Sequence, residues 1–573
     1  MEFSLDEVRR LTGPNLLSQY PGAIADVLFT GVDAETVIAC WQRHLQACLA
    51  AIGWDEQSYY RLYKGGASMS VSAPMDLLYS ACEVLELAWD CCVQECNTNE
   101  VKDKLARIAL IKDAIEEERN PSLIALLNAA KQHNVLCLAD DDEVSLGTGP
   151  SSQTWSIDQL PAVEQLNWRQ YRQIPLALVT GTNGKSTSVR LAAEIAKAAG
   201  MQAGVTSTDF IKVGDTIIDK GDYSGPGGAR MLLRDKRTEI AFLEVARGGL
   251  LRRGLPVNQA QASLVTNAAS DHLGQYGINT VDEIAHVKLM VAKAIKTAGS
   301  LLVLNADDER LVKFMPEFFP ESEIAPVCWF SLSANNSQIK QHIEQSLPCV
   351  YVEDGCIIYS SESKQAVAKI DQIHITVNGT AIHNVQNALG VVGLCKTMGI
   401  SMKAIKAGLT SFGRNPADNP GRGNIYDVNG ATAIVDFAHN AHSMQAVIKM
   451  ARNMAKTMPE QGRISVMFSH GGDRSDKEIT DVADAVHSIQ PTTYILSELE
   501  KYLRGREPGE VSDLVEAHLL AKGVSKQSLI KAQDPLDGAK KAVADARSGD
   551  LLLLFVLDKR DQVNDFLINV NSH

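Results

Sequence analysis

The sequence predicts an α/β protein in three parts: a helical N-terminal domain over residues 1–165, a central parallel-sheet domain over 166–415, and a smaller, doubly wound, Rossmann-like domain over 416–573. Three observations predict it. The chain has 573 residues, enough for about three domains. From Ile174 to about Phe412, short apolar runs alternate with amphipathic stretches, the rhythm of a parallel sheet with helices on its faces. The turn-rich stretch Asn415-Pro416-Ala417-Asp418-Asn419-Pro420-Gly421 then interrupts the alternation, which resumes after it.

In the first part, Ala34–Ile52, Pro74–Cys96 and Glu100–Glu118 carry apolar residues at helical spacing. Loops rich in Gly, Ser and Pro fall at 64–68 and 147–152. In the second part, Ala177–Thr180, Ile240–Val245, Ala262–Thr266 and Leu301–Leu304 read as buried strands, and Ser188–Ala199 and Val281–Thr297 as helices. The segment 347–382 is richer in short β runs and reads as a β insertion. In the third part, Thr432–Asp436, Ile464–Phe468, Thr492–Leu496 and Leu551–Leu557 alternate with the helical stretches Ser443–Met454 and Thr480–Ile489. No internal repeat or long low-complexity tract is visible.

Composition is that of a soluble globular protein, 45% hydrophobic and 22% charged. The net charge of −14 argues against nucleic acid as a partner. The N-terminus has no basic and apolar run of the secretory kind, and Leu551–Leu557 is too short to cross a bilayer. A cytoplasmic location without membrane association is therefore expected. The 11 cysteines show no paired metal spacing. Cys91, Cys92 and Cys96 cluster, but inside a helical apolar pattern, and read as buried free thiols of a reducing compartment.

The most informative stretch is Gly181-Thr182-Asn183-Gly184-Lys185-Ser186-Thr187, set between an apolar strand and a helix. Backbone N–H groups and the helix dipole face an anion in such a turn. Lys185 adds a point charge for the outer phosphates, and Ser186 a hydroxyl for Mg²⁺. The loop makes the central part a P-loop ATPase domain, in a short form, because Val179 stands where the general pattern has its first glycine. Glu244 ends the strand Ile240–Val245, and in an open α/β sheet ligands bind beyond the carboxyl ends of strands. Read alone, Glu244 is an ordinary strand-end acid; beside Lys185 it is a candidate Mg²⁺ ligand. His272, in Ser270-Asp271-His272-Leu273-Gly274, follows the neighbouring strand, and Lys288 lies on the next helix.

The order Gly-Thr-Asn-Gly-Lys-Ser-Thr, Glu244-Val245, Thr266-Asn267 with Asp271-His272-Leu273, and then a helix lysine resembles the Mur ligase superfamily. Asn305-Ala306-Asp307-Asp308, His383-Asn384-Val385-Gln386-Asn387-Ala388 and Asp436-Phe437-Ala438-His439-Asn440 agree with it. The segments Gly221-Asp222-Tyr223-Ser224-Gly225-Pro226, 246–254, Pro420-Gly421-Arg422 and 503–507 are similar to the C-terminal ligase module of cyanophycin synthetases. Those enzymes carry an ATP-grasp ligase before that module, for which there is no room between Ser156 and the phosphate loop. The resemblance implies an ADP-forming acid–amino acid ligase using ATP and Mg²⁺. Gly184, Lys185, Ser186 and Thr187 hold the triphosphate; Glu244 and His272 bind Mg²⁺; Lys288 is carbamylated. Asn384 and Asn387 lie near adenine, Arg422 and Asp436 close on the nucleotide, and His439 lies at the domain boundary. Phe437 and Ala441 depart from the commoner tyrosine and proline.

The implied partners are an amino acid and a peptide or amino-acid acceptor, arginine and an aspartate side chain first among them. Asp473, Asp476 and Glu507 are candidates for a guanidinium, and Arg247, Arg253 and Arg504 for a carboxylate. A separate ATP-grasp ligase partner and a homo-oligomer are further expectations. A muropeptide ligase and a non-catalytic ATP-binding paralogue are the alternatives; a folate polyglutamate ligase ranks lower for want of a Ser-Pro-His-Leu segment.

Overall fold

The computed structural model describes residues 1–98, 100–321, 324–456 and 462–570. The three helices expected near the N-terminus are present as Ala34–Ile52, Leu78–Thr98 and Lys104–Glu118. Asp33 caps the first, accepting from the Thr36 N–H at 2.9 Å. The region is not helical throughout. Glu2–Leu11, Gly22–Thr30, Gly66–Ser72 and Ser58–Tyr63 form a four-stranded antiparallel sheet in that order, with the helices packed against it. The periodicity hides these strands for physical reasons. A bulge between Leu5 and Glu7 breaks the alternation of the first strand. Gly22–Thr30 and Gly66–Ser72 are buried on both faces or built of small residues, so neither alternates. A three-stranded sheet, Cys137–Ala139, Glu143–Leu146 and Gln153–Ser156, leads towards the central unit.

The central sheet has eleven strands. Its parallel part runs Ala203–Thr206, Ile240–Glu244, Leu176–Thr180, Ala262–Val265, Leu301–Asn305, Val327–Ser331, Cys349–Glu353. Leu176–Thr180 comes first in sequence and sits in the middle, because the chain builds to one side of it and then to the other. That reversal leaves a crevice beyond the carboxyl ends of Leu176–Thr180, Ile240–Glu244 and Ala262–Val265. These strands are completely buried, which is why they read as continuous apolar runs. Helices Lys185–Ala198, Ile382–Thr397 and Met402–Ser411 cover one face. Helices Pro226–Arg234, Arg247–Arg253 and Val281–Leu289 cover the other. The 347–382 segment is not an insertion. After Cys349–Glu353, the strands Cys356–Ser360 and Lys364–Lys369 extend the same sheet antiparallel. The opposite edge is finished by Phe210–Val213 and Thr216–Lys220.

The last sheet runs Arg422–Val428, Ala431–Asp436, Leu551–Phe555, Ile464–Phe468, Thr493–Ser497, Leu529–Ala532, with only the first strand antiparallel. All 11 cysteines are free thiols, and Cys91 and Cys92 are buried. No helix among the described residues is long and apolar enough to cross a membrane.

Candidate active site

The phosphate loop is built by a strand that ends and a helix that starts within a few residues. Gly184 caps the helix Lys185–Ala198 at φ +89°, a conformation that disfavours any side chain. A Cβ there would stand 2.2 Å from Asn387 Oδ1, so the loop and the helix Ile382–Thr397 are in direct contact. The loop is also tied to the neighbouring strand end. Thr182 N–H donates to Asn267 O and Asn183 N–H to Asn267 Oδ1, both at 3.0 Å. Lys185 Nζ turns back on its own loop, donating to Gly181 O and Thr182 O at 3.0 Å each.

Ser186 Oγ donates to Glu244 Oε2 at 2.8 Å. Burial raises the Glu244 carboxyl above its ordinary value, against the pull of Lys185, Ser186, Arg422 and Arg190. Its other oxygen, Oε1, is buried without a hydrogen bond. His272 takes a left-handed backbone conformation, φ +50°. Its Nε2 meets Arg474 Nη2 at 2.7 Å, and its Nδ1 is buried without a partner. Burial pulls this imidazole down to about 4, so it is neutral, the form that binds a metal. Burial alone would raise the adjacent Asp271 carboxyl. His439, His272 and Arg474 together hold it well below the usual carboxylate range.

Lys288 is buried on the helix Val281–Leu289 and makes no hydrogen bond among the described residues. Burial, with Lys185 nearby, lowers its ammonium well below its ordinary value. A divalent cation fits this donor set: two orphaned buried atoms, Glu244 Oε1 and His272 Nδ1, share one cleft with the Ser186 hydroxyl.

The last domain closes the cleft. Arg422 and Asp436 face each other across their two strands. Arg422 and Arg560 lie 4.5 and 4.8 Å from the Phe437 ring centre. Asp436 Oδ1 accepts from the Ala438 N–H at 2.7 Å, and burial pushes the Asp436 carboxyl up to about 6. Asn183 bridges the two units, meeting His442 Nδ1 at 2.9 Å and accepting from Asn440 Nδ2 at 3.2 Å. Asn387 Nδ2 donates to Asn384 Oδ1 at 3.1 Å, and Asn384 Nδ2 to Ile375 O at 2.9 Å.

A single cleft of about 1660 Å³ collects Thr182, Asn183, Gly184, Lys185, Ser186, Thr187, Glu244, His272, Lys288, Asn384, Asn387, Arg422, Asp436 and His439. Gly181 does not line it and lies beneath, with its carbonyl on Lys185. Of the substrate candidates, Asp473, Arg247, Arg253 and Arg504 line the cleft, while Asp476 and Glu507 do not. Arg247 is engaged in bracing the His272 loop through His272 O and Gln275 Oε1.

Two residues that sequence reasoning passed over hold the site together. Arg474 joins Asp271 at 3.2 Å and His272 from the other unit. It follows the carboxyl end of the strand Ile464–Phe468, so the strand-end rule applied to Glu244 would have found it. Arg61, on the N-terminal sheet, donates to Tyr276 O at 2.9 Å, Gly277 O at 3.1 Å and Glu283 at 3.0 Å. It steadies the loop after His272, and nothing local in its sequence announces that.

Residues 179–395 match the Mur ligase middle domain, and residues 421–555 the Mur ligase glutamate ligase domain. A cyanophycin synthetase from Nostoc sp. is 34% identical over 347 residues, 60% of this chain and 37% of that protein. The chain spans about two fifths of the length of the cyanophycin synthetases it matches. The UDP-N-acetylmuramoyl-L-alanyl-D-glutamate–2,6-diaminopimelate ligase of Clostridium tetani is 26% identical over 393 residues, covering 67% of this chain and 72% of that one. Among solved structures, E. coli FolC in complex with DHPP and ADP shares the fold. Its TM-score is 0.51 at 18% identity, over 70% of this chain and 89% of that chain. On its two matched domains, the chain belongs to the Mur ligase family.

Proposed function

We propose that this chain is an ADP-forming ligase that activates a substrate carboxylate with ATP and joins it to the amine of an amino acid. The observation that carries the reading is the meeting of three features in one cleft: the phosphate cradle of Lys185, the orphaned donors of Glu244 and His272, and the unpartnered amine of Lys288. Lys185 exchanges its two loop carbonyls for phosphate oxygens, and the first N–H groups of its helix complete the cradle. The acceptor carboxylate attacks the γ-phosphorus; the bond to the bridging oxygen breaks and ADP leaves. The amine nitrogen then attacks the acyl carbon, phosphate departs with the bonding pair, and the amine proton goes to solvent or a base.

Ser186, Glu244, His272 and a carbamate on Lys288 would hold Mg²⁺, which when bound offsets the charge of the triphosphate. Lys288 suits carbamylation because an unprotonated amine is the form that attacks CO₂. Asn384 and Asn387 are assigned to the adenine side, and Arg422 and Asp436 to the closing lobe.

For substrates we propose arginine and an aspartate side-chain carboxyl, as the likeness to cyanophycin synthetases supports. Asp473 on the cleft wall carries the guanidinium of Arg504 at 2.5 Å, a pairing that supports a guanidinium-bearing amine. Arg253, also on the wall, is assigned to an acceptor carboxylate. The aspartate-adding step of such a synthesis would fall to a separate ATP-grasp ligase. Likeness to the diaminopimelate ligase favours a muropeptide acceptor as the second reading.

The test is ADP release with the full chain over a panel of amino acids and short acidic peptides, with mass spectrometry of the products. ADP release that needs both acid and amine, with an amide product, is expected. Tight ATP binding with no amide from any acceptor would leave a non-catalytic paralogue instead.

A further inference from the structure

The helices Ala34–Ile52 and Leu78–Thr98 lie side by side in the N-terminal core, and none of the residues discussed below lines the cleft. Cys40 and His44 stand one turn apart on the first helix, and Cys92 and Cys96 one turn apart on the second. The sulfurs of Cys40, Cys92 and Cys96 all lie within 4.8 Å of one another. Cys40 also closes a separate triangle with His44 and Glu95, whose ligand atoms lie within 4.8 Å of one another without joining the three sulfurs in one group.

Tetrahedral zinc–thiolate bonds of about 2.3 Å place neighbouring sulfurs ~3.8 Å apart, so the three thiols need to draw in by no more than ~1 Å. The surroundings suit an anionic cluster. Arg43 Nη2 donates to Cys40 Sγ at 3.3 Å and to Glu95 Oε1 at 2.7 Å. Glu95 Oε2 meets His44 Nε2 at 2.8 Å. Cys40 and Cys92 are buried, whereas Cys96 is half-buried and gives an ion a way in.

We propose that Cys40, Cys92 and Cys96 bind a thiophilic divalent cation, zinc by preference, through three thiolates, with solvent completing the tetrahedron. Soft sulfur donors select zinc over the magnesium that serves the oxygen-rich cleft. Each thiol gives its proton to solvent as its sulfur–metal bond forms. Three thiolates and a divalent cation leave one negative charge, and Arg43, which also pairs with Glu95, donates to it at Cys40. The ion would pin the two helices that carry the N-terminal core.

The full chain, reduced and stripped with a chelator, is titrated with Co²⁺. One equivalent is expected to saturate a thiolate-to-cobalt charge-transfer band in the near ultraviolet, with the intense visible bands of tetrahedral cobalt, and Zn²⁺ to bleach both. Cobalt held in the cleft by oxygen and nitrogen gives no such band. Cys96→Ala is expected to lose the signal while melting like the metal-free wild type. Absence of the band in wild type, or an undiminished band in Cys96→Ala, would each overturn the site.

Discussion

At Lys288 the fold strips water from an amine and sets Lys185 near it, which lowers its ammonium well below the ordinary value. If that amine captures CO₂, Lys288→Ala lowers turnover by about 100-fold or more, and a short carboxylic acid added to the assay restores part of it. Full activity in the variant, measured as ADP release, removes Lys288 from the chemistry. A second residue sets an acid limit on stability. His383 is half-buried with its Nδ1 shut away from water and unpartnered, and desolvation pulls its ordinary 6.5 down to about 4. Between those values the unfolded chain binds a proton that the folded chain refuses. Stability is therefore complete above pH 6.5 and is lost as pH falls towards 4, by up to ~1.4 kcal/mol per pH unit for this group. Urea midpoints taken across that range should fall less steeply in His383→Gln; an identical slope refutes the assignment. The residues of the cradle and its acids were legible because each sits at a strand end next to a motif. Arg61 was not, because its partners Tyr276, Gly277 and Glu283 lie more than two hundred residues away in sequence.

The loop–helix junction shows how local conformation becomes binding. At Gly184 a left-handed φ and the Asn387 side chain together exclude a Cβ. Gly184→Ala should abolish measurable nucleotide binding in calorimetry. Gly200→Ala is the control: it shares the left-handed φ, +81°, but opens on empty space, so it costs roughly 1–2 kcal/mol of stability and leaves ATP affinity alone. Equal affinity in the Gly184 variant and wild type would show that the cradle tolerates a side chain. The buried parallel strands were readable because burial on both faces writes an unbroken apolar run, as in Ile240–Glu244 and Leu551–Phe555. Glu2–Leu11 was not, since its bulge flips the pattern midway, and Leu529–Ala532, four residues interrupted by Lys531, was too short to stand out.

On the scale of the molecule, the ties between central and last units are specific: Asn183 to Asn440 and His442, Arg474 to Asp271 and His272, Arg560 to Asp209, and Asn419 to Thr187 and Arg190. Arg474→Ala removes charge-assisted bonds worth roughly 1–3 kcal/mol and leaves Asp271 without its cation. The lobes should then part, seen as a larger radius of gyration in small-angle scattering, with kcat/KM reduced about 10-fold or more. An unchanged scattering profile with normal turnover would mean that the pair is incidental. The eleven-stranded sheet has one more property. Its two outermost strands, Thr216–Lys220 and Lys364–Lys369, are short, mostly solvated and studded with Asp219, Lys220, Lys364 and Lys369. A bare flank invites a stranger's backbone to zip onto it, and fixed charges turn that stranger away. So large a hydrogen-bonded array can thus emerge from synthesis among crowded neighbours without seeding fibrils.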